Sequence, residues 1–321
     1  MVSVALSQQF SSMLEFDTTI EIGRICAFIS SEVKRRGSRG VVLGLSGGLD
    51  SSTCAYLCSR CLEPEQIHLF SLPERDSSAI IHSNALTVAS NLMLPLEEED
   101  ISVYIQKLGI YEKSPEDIVE NIPLLKRSIQ IMRRVLHQPT LFPWAQEYAY
   151  GQRHGLGAWI LRRCLWSYAG NTTAFIHGKV RLRMLLLSLQ AQFLDCLFIC
   201  TTDRSEYSIG FYDPHGDGVG DIAPLRHLYK TQIRELAQAL DVPGEVLQTP
   251  SSGDLNAGLP NEIVLGLTYS QLDLVLVGIS IGHSDTDIAD VAGVNPTMVK
   301  SIRAACDLAN QRRKMPIVLA P

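Results

Sequence analysis

Residues 41–52 read VVLGLSGGLDSS. Val41–Leu45 is an apolar run bracketed by Gly37-Ser38-Arg39-Gly40 and by a glycine pair, which predicts a short buried strand. Glycines directly after a strand let backbone N–H groups approach an anion closely. A helix starting at Asp50 would add the positive end of its dipole, and Ser46, Ser51 and Ser52 would add hydroxyl donors. The glycines alone also fit an ordinary strand-to-helix turn with Asp50 as N-cap. The whole pattern is more specific and predicts a pyrophosphate-cradling loop. It is not a Walker A loop, since no Gly-Lys-Ser/Thr follows, and it is not a dinucleotide fingerprint.

Working outward, an amphipathic helix is predicted over Thr18–Arg36, with Ile20, Ile22, Ile25, Phe28, Ile29 and Val33 on one side. After the loop come a helix over Asp50–Cys61, a strand at Ile67–Ser71 and a helix over Ser78–Leu92. A helix over Gly178–Leu194 and a strand at Cys196–Cys200 follow later. Strands alternating with helices of this length predict an α/β fold, a doubly wound parallel sheet with helices on both faces. Residues 111–170 break the rhythm. They hold helical patterns, a Pro-rich break and all three tryptophans (Trp144, Trp159, Trp166), and predict a helical insertion. The Gly/Asp/Pro-rich stretches Asp213–Pro224 and Thr249–Pro260 predict loops above the sheet, where α/β proteins place ligands. A single domain over 1–321 is expected, closing with a helical segment over about 284–321.

The chain has 321 residues, 46% of them hydrophobic, and a formal net charge of −6. That acidity argues against a general polyanion-binding surface, and no apolar stretch reaches the length of a membrane span. No signal peptide is evident at the start, and the eight scattered cysteines suit reduced thiols in a cytoplasmic protein. Cys54, Cys58 and Cys61 have the spacing of radical-SAM cluster ligands, but within a helix that spacing only aligns them on one buried face. Asp287–Ile302 reads like a helix-turn-helix with Gly293 in the turn, so a DNA-binding regulator is a remote alternative; its flanks are not markedly basic.

Further motifs follow the loop: GKVRLRM at Gly178–Met184, TTDRSEYSIG at Thr201–Gly210, GDGVGDIAPLRHLYK at Gly216–Lys230, PSSGDL at Pro250–Leu255 and LGLTY at Leu265–Tyr269. With SGGLDS, in this order, they resemble the ammonia-dependent NAD synthetase family of ATP-pyrophosphatases over residues 20–110 and 176–316. The resemblance implies an adenine nucleotide α-hydrolase-like fold and a ligase that adenylates a carboxylate and lets ammonia displace AMP. It implies that Gly44, Leu45, Ser46, Gly47, Gly48, Leu49, Asp50, Ser51, Thr201, Lys230 and Ser252 contact ATP. Asp50 and Glu206 would hold Mg²⁺, with Asp50 and Lys230 the catalytic pair and Lys230 meeting a phosphate. Arg181, Asp221, Gln311 and Arg312 would meet the acid, most directly nicotinic acid adenine dinucleotide.

The chain departs from the family pattern mainly on the acid side. Ile176-His177 stands before Gly178-Lys179 where the family has Gly-Asn, Pro214 stands where it has lysine, and Gln311-Arg312 where it has His-Lys. His177 and His215 beside these positions are candidate replacements. A different acid or amine is therefore the alternative. The resemblance further implies a homodimer acting on small molecules, with no nucleic acid or membrane partner. The roughly 40 residues before the loop leave no room for a glutaminase domain, so free ammonia or a separate glutaminase is expected.

Overall fold

The computed structural model describes residues 4–113, 156–253 and 260–313, with backbone alone over 156–173. Four parallel strands, β1 (Val41–Gly44), β2 (Ile67–Ser71), β3 (Leu96–Glu98) and β4 (Leu197–Phe198), are ordered β3-β2-β1-β4. Ile199 makes one further parallel bridge to Ile222, which brings the 213–224 loop alongside β4. Beyond Phe198 the expected strand continues as single bonds: Ile199 N–H donates to Val42 O at 3.0 Å, Cys200 N–H to Ile222 O at 2.8 Å, and the Cys200 thiol to the Asp217 carbonyl.

The continuous apolar run of β1 follows from burial on both faces. The short N-terminal helix is α1 (Val4–Ser12); Val41, Leu43 and Leu45 point into one core with helices α2 (Thr18–Arg36) and α3 (Leu49–Ser59). Val42 points the other way, against Phe70, Phe198 and Leu187. Leu187 belongs to the long helix described below, so helices cover both sides of the sheet.

Helix α2 starts on Asp17, whose carboxylate accepts from the N–H groups of Thr19 and Ile20, and ends on Gly37 at φ 65°. Its buried row is Ile25, Ile29 and Val33. Ile20 is 69% exposed and Phe28 41% exposed, so the apolar side is narrower than its sequence suggested. At about 100° per residue Ile20 is turned well away from the row through Ile25. Helix α3 is capped by Gly48, with no side-chain cap bond. Asp50 is thus not the N-cap, and its carboxylate is left for another task.

Between β2 and β4 the chain forms α4 (Ala79–Asn91), α5 (Ser102–Lys107) and α6 (Leu156–Leu194). Helix α6 is 39 residues long and runs straight through Gly178, where a start was expected. Gly178 is there for close packing: a Cβ would lie 2.9 Å from Ile110 Cδ1. Of the stretch expected as an insertion, Tyr111 packs with Phe175 in a buried cluster, and Trp159 and Trp166 fall on α6. The rest of the insertion, including Trp144, lies outside the described residues.

The remainder is helical: α7 (Arg204–Ile209), α8 (Lys230–Ala239), α9 (Gly244–Gln248), α10 (Asn261–Leu265), α11 (Tyr269–Ser280), α12 (Asp285–Ala292) and α13 (Pro296–Arg312). The helix-turn-helix reading has its expected turn, Gly293 at φ 65°. Ile288, Val299 and Ile302 of that pair are buried in a second core with Phe10 and α11, which is how a fold-closing helix pair packs. No described helix is long and apolar enough to cross a membrane.

Candidate active site

The loop follows the end of β1 and is shaped by one glycine above all. Gly47 has φ 88°, and a Cβ there would stand 2.0 Å from Ile81 O and 2.7 Å from Ala85 N, both backbone atoms of α4. Any other residue would push the loop off that helix. Ser46 and Ser51 hydroxyls meet at 3.0 Å, and Gly48 N–H donates to Ser46 Oγ at 3.2 Å, which closes the turn on itself. Ser52, expected among the donors, is wholly buried on α3, its hydroxyl without a partner among the described residues.

Beside the loop, four charged side chains from three helices converge. Lys230, the first residue of α8, is only 1% exposed. Its Nζ lies 2.7 Å from Asp50 Oδ2, 2.5 Å from Asp203 Oδ2 and 3.1 Å from Glu206 Oε1. Local structure sets each group. Asp203 caps α7, its Oδ1 accepting from Glu206 N–H at 2.7 Å. Glu206 is fixed in turn by Tyr269 O–H at 2.7 Å and Asn261 Nδ2 at 3.4 Å. Lys230 is anchored through its own N–H to Ser205 Oγ, which donates to the buried Asp273; Asp273 also accepts from the N–H and hydroxyl of Thr231.

Three carboxylates around one ammonium leave an excess of negative charge in a poorly solvated place. Burial raises Asp203 well above the usual carboxylate range and raises Asp50 as well. Burial alone would lower the Lys230 ammonium, but the surrounding carboxylates outweigh it and hold the proton firmly. The sequence reading gave Lys230 to a phosphate; here the ammonium sits among the acids. It also missed Asp203, although Asp203 and Glu206 stand three apart as N-cap and third residue of a helix, a spacing readable in TTDRSEYSIG. Tyr269, Asn261 and Asp273 were missed too.

One ligand oxygen from each of Asp50, Asp203 and Glu206 lies within 4.8 Å of the others. Asp50 Oδ1 is buried and has no hydrogen-bond partner among the described residues. Hard carboxylate oxygens, one of them unpartnered, fit Mg²⁺.

Thr201 follows β4 and lines a small cavity with Gly44, Met184, Leu187, Cys200 and Asp217. Burial pushes Asp217 up to about 7, and its Oδ1 accepts from Asp213 N–H at 2.7 Å. Ser252 lies on the loop after α9. That loop is tied to α10 by Asn261 N–H donating to Ser251 O at 2.8 Å, so it approaches Glu206 through Asn261. Asp254 and Leu255 of the same motif lie outside the described residues.

The residues expected to meet the acid are dispersed. Arg181 on α6 donates from Nε to Asp213 Oδ2 at 2.6 Å and from Nη2 to Oδ1 at 3.2 Å. His177, one turn earlier, brings Nδ1 within 3.0 Å of Asp213 Oδ2, and His215 N–H donates to Oδ1. Burial alone would raise Asp213, but the bonds from His177 and Arg181 hold its carboxyl far below the usual range. Arg312 lines a cleft with Gly210, Tyr212, Pro214 and Ala309, which puts two departures from the family pattern side by side. Gln311 precedes it on α13. Asp221 goes elsewhere: its carboxylate pairs with Arg36 at 3.1 Å and accepts from Phe198 N–H, level with the start of β1 rather than with the loop.

The NAD synthase family model matches residues 21–126 and 167–316. The NH(3)-dependent NAD(+) synthetase of Thermotoga maritima is 29% identical over 299 residues, covering 91% of this chain and 97% of that protein. The enzyme of the same name from Mesorhizobium japonicum is 30% identical over 310 residues, with 90% and 92% covered. Among solved structures, NMN synthetase from Francisella tularensis has a TM-score of 0.64 at 21% identity, covering 96% of this chain and 99% of that one. The NH3-dependent NAD synthetase of Campylobacter jejuni has a TM-score of 0.61 at 22% identity, with 95% and 100% covered. These likenesses identify the α/β fold as the adenine nucleotide α-hydrolase-like one.

Proposed function

The chain belongs to the NAD synthase family, and from that membership we propose that it uses ATP to convert nicotinic acid adenine dinucleotide and ammonia into NAD, AMP and pyrophosphate. The observation that carries this reading is the convergence of Asp50, Asp203, Glu206 and Lys230 beside the glycine loop. A carboxylate does not form an amide with ammonia unaided, because oxide is a poor leaving group. In the first step a substrate carboxylate oxygen bonds to the α-phosphorus and the bond to the β-phosphate oxygen breaks, releasing pyrophosphate. In the second, ammonia adds to the acyl carbon, AMP leaves and the nitrogen gives up a proton. Neither step needs a covalent nucleophile from the protein; both need charges held in place.

Asp50, Glu206 and Asp203 would hold Mg²⁺, which when bound neutralises phosphate charge. The Gly47–Gly48 turn offers backbone N–H groups at the start of α3, and Lys230 adds the positive charge. Thr201 and Ser252 flank the loop for the rest of ATP. On the acid side Arg181 is the strongest candidate, fixed by Asp213. A homodimer, free ammonia or a glutaminase partner, and a cytoplasmic setting in keeping with seven described free thiols complete the proposal.

The departures at Ile176-His177, Pro214 and Gln311-Arg312 favour a second reading in which the same chemistry amidates another acid, such as the one whose amide is NMN. The test is release of AMP and pyrophosphate from ATP, Mg²⁺ and ammonium with each acid in turn. Turnover with the dinucleotide acid supports the first reading. AMP with other acids alone replaces the substrate and keeps the chemistry, and no AMP with any acid overturns both.

A further inference from the structure

Two cysteines outside the site are arranged as a reactive pair. Cys26 lies midway along α2, and Cys61 lies two residues beyond the end of α3. Both thiols turn to the same acceptor, the Leu57 carbonyl, at 3.5 Å from Cys26 Sγ and 3.3 Å from Cys61 Sγ. Both residues are partly exposed, whereas Cys54 and Cys58 are buried. The two thiols therefore meet at one carbonyl, one carried by α2 and the other by the residues just after α3, and they also bond each other.

Their chemistry is unequal in a useful way. The Cys61 thiol, outweighing burial together with the nearby Arg60 guanidinium, lowers Cys26 from the ordinary thiol range. The same contact, with burial, raises Cys61, and burial pushes Cys58 up to about 12. Cys26 is thus disposed to attack; once its sulfur is capped, the contact that raises Cys61 is gone and Cys61 is the neighbour placed to resolve, while Cys58 is buried.

We propose that Cys26 and Cys61 form a reversible intramolecular disulfide that joins α2 to the end of α3. With a small-molecule disulfide as oxidant, Cys26 thiolate attacks one sulfur and expels the other half as thiolate, leaving a mixed disulfide on Cys26. Cys61 then loses its proton to solvent, attacks Cys26 Sγ and expels the second half. Two protein thiols are oxidised and one disulfide is reduced to two thiols. The bond closes a loop of about 35 residues that contains the whole phosphate loop. This pair is independent of the proposed reaction, since neither sulfur touches the carboxylate cluster.

The test treats the full chain with oxidised glutathione and maps peptides without reduction. The expected result is a cross-link between the peptides of Cys26 and Cys61, undone by dithiothreitol, with the thermal midpoint of the oxidised protein a few degrees higher. Cys61→Ser should stop at one glutathione on residue 26, Cys26→Ser should give neither product, and Cys58→Ser should cross-link as the wild type does. A wild-type protein that holds glutathione on Cys26 without resolving it, that cross-links through Cys58, or that does not react overturns the proposal.

Discussion

The two sides of the site are built differently. Around Lys230, Asp50, Asp203 and Glu206 all lie within ion-pair distance of one ammonium, largely buried, with Asp203 also held as a helix cap and Glu206 by Tyr269. On the other side the half-exposed Arg181 guanidinium meets Asp213 and His177, Arg312 sits on a separate cleft, and Asp221 is engaged at the far end of β1. A buried cluster of this kind depends above all on its ammonium, because removing Lys230 strands three carboxylates without water. Arg181 is under less constraint, since its guanidinium is half exposed although Asp213 beneath it is buried. The departures noted in the sequence at Ile176-His177, Pro214 and Gln311-Arg312 all fall on the Arg181 and Arg312 side.

That contrast can be broken or sharpened by four measurements. The largest effect is expected from Asp50→Ala, which should reduce AMP formation by about 10³-fold with the thermal midpoint near that of the wild type; turnover within tenfold of wild type would remove Asp50 from the chemistry. Lys230→Met comes next. It leaves three acids without their ammonium and should destabilise the chain by about 3–5 kcal/mol in urea unfolding. Added Mg²⁺ should return part of that stability, and a variant as stable as wild type would show that the cluster is solvated after all. Arg181→Ala should raise the KM for the acid by about tenfold to hundredfold, a loss of about 1.4–2.8 kcal/mol, with KM for ATP unchanged. Equal rises in both would mean that Arg181 serves the fold rather than the acid.

The smallest effect concerns Asp217. Its pKa rises from an ordinary carboxylate value of 3.8 to about 7 on folding. The folded chain therefore binds the proton more tightly than the unfolded one, and that stabilisation is complete below about pH 4 and lost as pH rises to about 7. Asp217→Asn keeps an acceptor for Asp213 N–H and should flatten the fall of the thermal midpoint across this window. An unchanged slope would assign the pH dependence to other groups.

Much of this was legible in residues 41–52. A run such as VVLGL must be buried on both faces, and glycines after it must serve close approach, so strand, turn and helix followed directly. The parallel sheet and the helix pair about Gly293 were legible for the same local reasons. The start of α6 was not. Gly178 looks like punctuation in sequence, whereas its missing Cβ answers to Ile110, a contact made only in three dimensions. Ile20 and Phe28 misled because an apolar residue need not be buried when its helix has enough others for the core. Asp203 was overlooked although its capping position was readable, and the pairing of Asp221 with Arg36 joins residues 185 apart, which no local pattern announces.

The position of Lys230 has a consequence for the order of events. A Mg²⁺ ion held as proposed would meet carboxylates already paired with the Lys230 ammonium, and two cations in one cluster repel. A triphosphate offers that ammonium another anion. Nucleotide and metal should then favour each other's binding, by the same factor whichever arrives first. Metal affinity measured with and without a non-hydrolysable ATP analogue reads that factor directly, and a ratio of one would mean that the lysine never leaves its seat. The resting protein in this view carries its own placeholder, one covalently bound to the chain and released by the arrival of the substrate.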